Sequence, residues 1–251
     1  NLQLLPDGGG WLLVEFGGDT PEQAQEKAGK AEQALRRADQ PPETKLFTDP
    51  AESKKVWTIR ESGLGATAHV PGQNITWPGW EDSAVPPERV GEYLRALRRL
   101  LKRYGYECDL YGHFGQGCIH TRIDFDLQTA AGIEKYRRFA RDAADLVVRL
   151  GGSFSGEHGD GQSRGELLPL MFGDQLIEAF RRFKRTWDPD WKMNPGKVID
   201  ADPLDAHLRL GTGYNPKHQN TVFQYPSDKG SFARAMLRCV GVARCRRHHT
   251  G

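Results

Sequence analysis

Two glycine-rich segments carry the residues with the clearest potential for chemistry. Residues 112–120 contain His113 and His120, and residues 155–161 contain Glu157. Two imidazoles and a carboxylate are a common ligand set for zinc, iron or manganese. The glycines around them let the backbone approach a ligand closely and adopt conformations that a side chain forbids. If the two segments converge in the fold, they form a binding site for a divalent metal or for a substrate.

His158 directly follows Glu157. In an extended backbone, neighbouring side chains point to opposite sides, so we expect His158 to point away from Glu157. It would then serve as a general acid or base, because the pKa of imidazole lies near the working pH of most enzymes. The alternative is a hydrogen-bonding role behind the ligands. For His113 and His120, the alternative is a pair of exposed histidines in a loop that joins two strands.

Several basic residues could bind an anionic group. Arg60 and Arg122 could each pair bidentately with a substrate carboxylate. A surface position is the alternative for both. Lys197, which follows Asn194-Pro-Gly, could reach a phosphate or a flavin.

The cysteines divide into two pairs. Cys239 and Cys245 are separated by five residues and could supply two ligands for an iron–sulfur cluster or zinc, although two thiolates cannot complete such a site. Cys108 and Cys118 are more typical of packed thiols. Four cysteines in 251 residues do not indicate a disulfide framework.

Composition excludes several classes of function. A net charge of +2 gives no reason to expect a nucleic-acid partner. The chain contains no run of about 18 apolar residues, so we predict no transmembrane segment. It starts at Asn1 without a leader-like segment, which we interpret as a processed chain or a piece of a longer one. We expect a cytoplasmic location, with peripheral attachment at the inner membrane as the alternative.

Alternating strands and helices must position these residues. Apolar runs and alternation predict strands at residues 11–16, 44–47, 81–85, 110–114 and 119–125. Helical periodicity and capping residues predict helices at residues 21–38, 50–60, 86–104, 130–150 and 166–187. This pattern favours an α+β fold, with an antiparallel sheet and helices packed on one face. Beyond about residue 205 the periodicity fades, and residues 206–230 are typical of a linker.

Five motifs carry a resemblance to a known family. They are Trp57-x-x-Arg60-Glu61, Glu81-Asp-Ser-Ala-Val-Pro86, Gly112-His-x-Gly-x-Gly-x-x-His120, Ser155-Gly-Glu-His-Gly159 and Asn194-Pro-Gly-Lys197. Over residues 11–198 the chain resembles the C-terminal, substrate-side domain of FAD-linked oxidases of the D-lactate, glycolate and D-2-hydroxyglutarate dehydrogenase type. The resemblance extends to fused members that also carry an iron–sulfur domain.

The resemblance implies a ferredoxin-like α+β domain at residues 1–205, lying over FAD that an upstream domain holds. It implies that His113, His120 and Glu157 bind a divalent metal (zinc, iron or manganese) and that His158 is the base. Arg60 would hold the substrate carboxylate. We assign Gly156, Asn194 and Lys197 to cofactor binding. Residues 231–251 would begin a truncated iron–sulfur domain, with Cys239 and Cys245 as the first ligands of a 4Fe–4S cluster.

The implied function is oxidation of a D-2-hydroxy acid, of the D-lactate or D-2-hydroxyglutarate class, with hydride transfer to FAD and electrons passed to iron–sulfur clusters. The chain departs from the family at Gln116-Gly-Cys118, where Asp-Gly-Asn is usual, and at Arg122. An extra arginine would suit a second substrate carboxylate, as in D-2-hydroxyglutarate. The isolated chain is expected to be inactive. A metal-dependent hydrolase and a non-catalytic metal-binding domain are the alternatives.

Overall fold

The chain folds as two compact units, Asn1–Ala66 and Thr67–Gly251. The computed structural model describes residues 2–68, 74–241, 243 and 246. The domain boundaries predicted near residues 205 and 230 both fall inside the second unit and stay predictions.

The first unit contains two helices that begin at well-formed caps. They are α1 (Pro21–Leu35) and α2 (Pro50–Glu61), each with proline in its first turn. Thr20 accepts a hydrogen bond from the Gln23 amide, and the Asp49 carboxylate accepts bonds from two amides of α2 at 2.7 and 3.0 Å. These contacts satisfy amides that a helix start leaves without partners. Both helices were predicted, although α1 ends before residue 38.

The strands predicted at residues 11–16 and 44–47 do not form. Trp11, Leu12 and Val14 are exposed by 43%, 72% and 68% of their surface. A strand forms only where a partner takes up its backbone hydrogen bonds, and neither segment is paired in the described part of the chain. Their apolar alternation therefore misled the prediction. A short helix that was not predicted, α3 (Gly63–Thr67), follows α2.

The core of the second unit lies between long helices and a small sheet. The helices are α4 (Val90–Tyr104), α5 (Ala130–Arg149), the short α6 (Gly161–Gly165), α7 (Leu168–Trp187) and α8 (Phe232–Leu237). Tyr93 and Leu97 of α4 and Phe139, Ala143 and Val147 of α5 are fully buried in one cluster. Burying a large apolar side chain stabilises the fold by roughly 1.5–3 kcal/mol. The helical periodicity of both segments predicted this packing.

Three antiparallel strands form the sheet in the order β1-β3-β2. They are β1 (Ser83–Ala84), β2 (Cys108–His113) and β3 (Cys118–Ile123). The register places Tyr111 opposite His120 and His113 opposite Cys118. The α+β class is therefore confirmed, whereas the ferredoxin-like topology stays a prediction. The predicted strand at 81–85 shrinks to the two residues of β1.

The turn between β2 and β3 requires glycine. Gly117 has a φ of 78°, and a Cβ atom there would lie 1.8 Å from the Val85 carbonyl oxygen. No side chain fits at that distance, so Gly117 lets the hairpin approach the segment after β1. The Gly117 carbonyl in turn accepts a 3.1 Å hydrogen bond from the Val85 amide.

After α7 the chain contains little regular structure. Residues 206–230 consist of short turns and bends, irregular stretches and the 3-10 helix Pro226–Asp228, before α8 begins at Phe232. Among the residues that the structure describes, none of the helices has the length and apolarity needed to cross a bilayer.

Candidate metal centre

Three histidine side chains converge on one oxygen atom of Glu157. The Nε2 atoms of His113, His120 and His158 lie 3.5, 3.0 and 3.5 Å from Glu157 Oε1. The β2–β3 hairpin supplies His113 and His120, and the loop before α6 supplies Glu157 and His158. The two glycine-rich segments of the sequence therefore meet at one point.

The expectation that His158 points away from Glu157 is wrong. Residues 156–158 form bends instead of an extended strand, so neighbouring side chains do not alternate. The His120 and His158 rings stack with centroids 5.0 Å apart and planes 4° apart. Both imidazoles therefore present Nε2 to the same carboxylate.

The opposite nitrogen of two of these rings faces a hydrogen-bond acceptor. His120 Nδ1 lies 3.4 Å from the Glu81 carbonyl oxygen and 3.7 Å from Asp82 Oδ1. His158 Nδ1 lies 3.0 and 3.2 Å from the two carboxylate oxygens of Glu81. A proton on Nδ1 in each ring leaves Nε2 with its lone pair free to bind a cation or to accept a proton. Backing of this kind is typical of metal-binding histidines.

Asp82 anchors the loop that carries Glu157 and His158. Its side chain is fully buried, and Oδ2 accepts hydrogen bonds from the Ser155 hydroxyl and from the Glu157 and His158 amides at 3.1 and 2.7 Å. Oδ1 accepts one from Cys118 Sγ at 3.4 Å. Burial alone would raise the pKa of Asp82, but these hydrogen bonds outweigh it and hold the pKa below its usual value.

Sequence reasoning missed both Asp82 and the side chain of Glu81 as parts of the site. They lie immediately before β1, which is joined to β3, and the Trp80 carbonyl accepts a hydrogen bond from Thr121 of β3. The available signal was the adjacent acidic pair Glu81-Asp82 within a segment predicted as a strand. Carboxylates in a buried strand almost always have a hydrogen-bond or charge partner.

Gly156 makes the close approach of this loop to the sheet possible. Its amide donates a 2.6 Å hydrogen bond to the Asp82 carbonyl. A Cβ atom at this position would lie 2.8 Å from Cys118 Sγ and 3.2 Å from the Ala84 side chain. Gly156 thus has a packing role here, and its assignment to cofactor binding stays a prediction.

The donor atoms suit a divalent cation. Asp82, His120, Glu157 and His158 each offer one ligand atom, and these atoms lie within 4.8 Å of one another. His113 is not one of these four, but its Nε2 atom lies 3.5 Å from Glu157 Oε1. Because three donors already occupy Oδ2 of Asp82, we expect the ligands to be Glu157 and the Nε2 atoms of His113 and His120. His113, His158 and Glu157 keep 49%, 47% and 45% of their side-chain surface exposed. A cation bound there would have room for a further ligand, as in catalytic sites.

Comparison with known proteins places this chain in a family. Residues 2–198 match the family described as FAD linked oxidases, C-terminal domain. The chain belongs to this family. D-2-hydroxyglutarate dehydrogenase of Pseudomonas putida is 35% identical over 189 residues, which cover 74% of the chain and 18% of that protein. D-lactate dehydrogenase of Archaeoglobus fulgidus is 37% identical over 118 residues, or 47% of the chain and 26% of that protein.

D-2-hydroxyglutarate dehydrogenase of Pantoea ananatis is 29% identical over 192 residues, which cover 76% of the chain and 18% of that protein. The chain therefore spans about a fifth of the length of these D-2-hydroxyglutarate dehydrogenase relatives. The family inferred from the sequence motifs is confirmed. The site roles that the resemblance implied are not tested by these matches.

Arg122 of the FAD-linked oxidase domain lies two residues after His120 on β3, and therefore on the same face of the strand. It is only 8% exposed, and Nε and Nη2 donate to the Thr76 hydroxyl and carbonyl at 3.2 and 2.6 Å. Burial lowers the pKa of its guanidinium. Arg122 thus fixes the segment before β1, and its contact with a substrate carboxylate stays a prediction.

The other predicted anion-binding residues belong to other segments of the chain. Arg60 is in the last turn of α2, in the first unit. Lys197 Nζ donates a 2.7 Å hydrogen bond to Gln162 Oε1 of α6, and Asn194 has a φ of 46°. The Val198 amide donates to the Gly161 carbonyl at 3.0 Å, which joins this segment to the end of the Glu157 loop. Their roles with substrate or flavin stay predictions.

The cysteines have distinct environments. Burial raises the pKa of Cys118 to about 12, with a further contribution from Asp82, and burial also raises the pKa of Cys108 to about 12. Both behave as packed thiols, as expected. Cys239 is exposed after α8, and Cys245 lies outside the described residues, so the cluster assignment stays a prediction.

Proposed function

We propose that this chain is the substrate-side domain of an FAD-dependent dehydrogenase that oxidises a D-2-hydroxy acid of the D-lactate or D-2-hydroxyglutarate class. The observation that carries the proposal is the convergence of three imidazole Nε2 atoms on Glu157 Oε1. Membership of the FAD-linked oxidase family supports the reaction type, and the names of the relatives support the substrate class.

His113, His120 and Glu157 would hold the divalent metal, which we expect to be zinc, iron or manganese. Bound there, such a cation supplies Lewis-acid polarisation of a substrate oxygen. His113 and Glu157 keep about half of their side-chain surface exposed, which leaves a cation held there accessible to a small hydroxy acid. Binding at this point would fix the substrate next to His158, so that orientation lowers the barrier.

His158 would accept the hydroxyl proton. Its Nε2 atom lies 3.5 Å from Glu157 Oε1, and therefore beside the ligands. Loss of this proton to Nε2 and of a hydride from the second carbon atom converts the 2-hydroxy acid into a 2-oxo acid. FAD, held mainly by a domain outside this chain, supplies the hydride acceptor.

Arginines would select the substrate. The resemblance gives Arg60 the first carboxylate, and we propose Arg122 for a second one, because it lies on the same face of β3 as His120. Replacing Arg122 with alanine should lower activity on D-2-hydroxyglutarate more than on D-lactate. An unchanged ratio of the two kcat/KM values would sink this assignment.

The wider assembly is also a proposal. An FAD-binding domain would cover the substrate site, and electrons would pass to an iron–sulfur domain in which Cys239 and Cys245 are the first 4Fe–4S ligands. Peripheral attachment at the inner membrane would suit such electron transfer. The isolated chain should then bind metal but oxidise no hydroxy acid.

Full-length protein containing FAD provides the test. Glu157→Gln should abolish oxidation of both hydroxy acids and remove stoichiometric metal, whereas His218→Ala at an exposed position should change neither. Reduction of bound FAD by D-lactate or D-2-hydroxyglutarate gives the direct readout. A wild-type protein that hydrolyses substrates without FAD would instead support the hydrolase alternative, and metal binding with no activity would support a non-catalytic domain.

A further inference from the structure

We propose that Glu81, backed by the buried Arg164, is a positioning residue that fixes the orientation and tautomer of His158. This inference deepens the proposed function, because it explains how His158 keeps an unprotonated Nε2 atom toward the substrate. It rests on contacts of Glu81 that neither the family resemblance nor the cluster of metal donors assigns.

The carboxylate of Glu81 faces only one nitrogen of the His158 ring. Its two oxygens lie 3.0 and 3.2 Å from Nδ1, and an ionised carboxylate can only accept hydrogen bonds. Neutral His158 must therefore donate from Nδ1. Its Nε2 atom then carries the lone pair, on the side of the ring nearer to Glu157 Oε1. A neutral imidazole in water prefers the opposite tautomer, with the proton on Nε2.

Arg164 forms an ion pair with the Glu81 carboxylate. Arg164 is 2% exposed, and its Nη1 atom lies 3.6 Å from Glu81 Oε1. Its Nη2 atom donates a 2.7 Å hydrogen bond to the Gly159 carbonyl, which ties the guanidinium to the loop that carries His158. A buried guanidinium has to face an acceptor or an anion, and Asp160 Oδ1 lies 3.8 Å from its Nε atom. Asp160 thus pairs with Arg164, Arg164 pairs with Glu81, and Glu81 contacts His158.

His120 offers an internal comparison. Its Nδ1 atom lies 3.4 Å from the backbone carbonyl of Glu81, whereas His158 Nδ1 lies 3.0 and 3.2 Å from the side-chain oxygens of the same residue. Asp82 Oδ1, at 3.9 Å from His158 Nδ1, is too distant to accept a hydrogen bond. Removing the Glu81 side chain should therefore release His158 and leave His120 unchanged.

Imidazole tautomers of the metal-free chain provide the first test. Long-range ¹H–¹⁵N correlation spectra, recorded above the imidazole pKa, distinguish a protonated Nδ1 from a protonated Nε2. In the wild type we expect Nδ1–H in both His120 and His158. In Glu81→Ala, His158 should shift to mainly Nε2–H while His120 keeps its pattern, and the exposed-site control Glu88→Ala should match the wild type.

Two results would overturn the inference: a wild-type His158 with its proton on Nε2, or an unchanged His158 pattern in Glu81→Ala. If circular dichroism shows that Glu81→Ala does not fold, the isosteric Glu81→Gln takes its place. Glutamine lacks the charge that faces Arg164 and can donate to Nδ1 through its amide group. A shift of the same sign is expected there, and the absence of a shift would count against the inference.

Kinetics of the FAD-containing full-length protein provide the second test. Removing a residue that orients a functional histidine typically costs about 10–100-fold in activity, so Glu81→Ala should lower kcat by that factor with little change in KM or metal content. A merely structural role would lower metal content together with kcat. If the wild type binds no metal and oxidises no hydroxy acid, the proposed function fails whatever the tautomer is. If both hold but His158 does not shift, only the Glu81 inference fails.

Discussion

Replacing Asp82 with alanine should destabilise the second unit and disorder the loop of the candidate metal centre. The substitution removes the acceptor for the Ser155 hydroxyl and for the Glu157 and His158 amides. Hydrogen bonds to a charged group contribute about 1.5–3 kcal/mol each. Because the loop is open to water on its outer face, part of this loss is recovered by solvation. We therefore expect a loss of about 3–4 kcal/mol in the free energy of unfolding.

Urea unfolding of the chain, followed by near-ultraviolet circular dichroism, measures this loss. Hydrogen exchange adds a local readout, since the Glu157 and His158 amides should exchange faster in Asp82→Ala. Asp82→Asn keeps one acceptor oxygen and should cost about half as much or less. Asp39→Ala, at an exposed position, is the matched control and should be neutral within about 0.5 kcal/mol.

Metal binding should weaken as well. Asp82 sets the positions of Glu157 and His158 without being needed as a ligand, and the loss of such a supporting residue typically weakens metal affinity about 10–100-fold. If Asp82→Ala cost less than about 1 kcal/mol and left both amide exchange and metal affinity unchanged, the anchoring role derived from the structure would be refuted.

Three further predictions concern the hairpin, the buried Asp188 that directly follows α7, and the cysteines. Gly117→Ala should lower the free energy of unfolding, measured with urea, by several kcal/mol or prevent folding. Gly105 has a φ of 63° but open space around it, so Gly105→Ala should lower it by only about 1 kcal/mol. Equal losses in the two variants would argue against the hairpin contact. Hydrogen bonds, first from a lysine and then from two backbone amides, lower the pKa of Asp188 to about 2. The stabilisation by the Asp188 carboxylate should therefore be complete above the unfolded pKa of 3.8 and decline as the pH falls toward 2. Asp188→Asn should lack this pH dependence, and acid unfolding curves of the two proteins measure the difference. Burial raises the pKa of Cys118 to about 12, so Cys118 should resist alkylation at neutral pH in the folded chain while the exposed Cys239 reacts. Mass spectrometry of labelled peptides measures the two rates, and faster labelling of Cys118 would contradict the prediction.

Local signals predicted three of the helices and the hairpin that carries two histidines of the site. Capping residues and proline marked α2, and helical periodicity marked α4 and α5. Glycines between two apolar runs indicated a turn between strands, which is how the β2–β3 hairpin brings His113 and His120 together. These features depend on neighbours in sequence, so a single chain reveals them.

Features that depend on distant contacts were not predictable in this way. The burial of Asp82 follows from its pairing with Ser155 and the amides after it, which are more than seventy positions away. The orientation of His158 follows from bends that the same contact stabilises. Apolar alternation at residues 11–16 suggested a strand, but a strand requires a partner that no local pattern specifies.

Metal binding by full-length, FAD-containing protein tests the central claim most directly. The protein would be stripped of metal, reloaded separately with Zn²⁺, Fe²⁺ or Mn²⁺, dialysed, and assayed by elemental analysis in the wild type, His113→Ala, His120→Ala, Glu157→Ala and the control His218→Ala. The account predicts one tightly held ion per chain in the wild type and the control, and loss of that ion in the three site variants. A wild type that retains none of the three metals, or site variants that retain the same amount as the wild type, would contradict it.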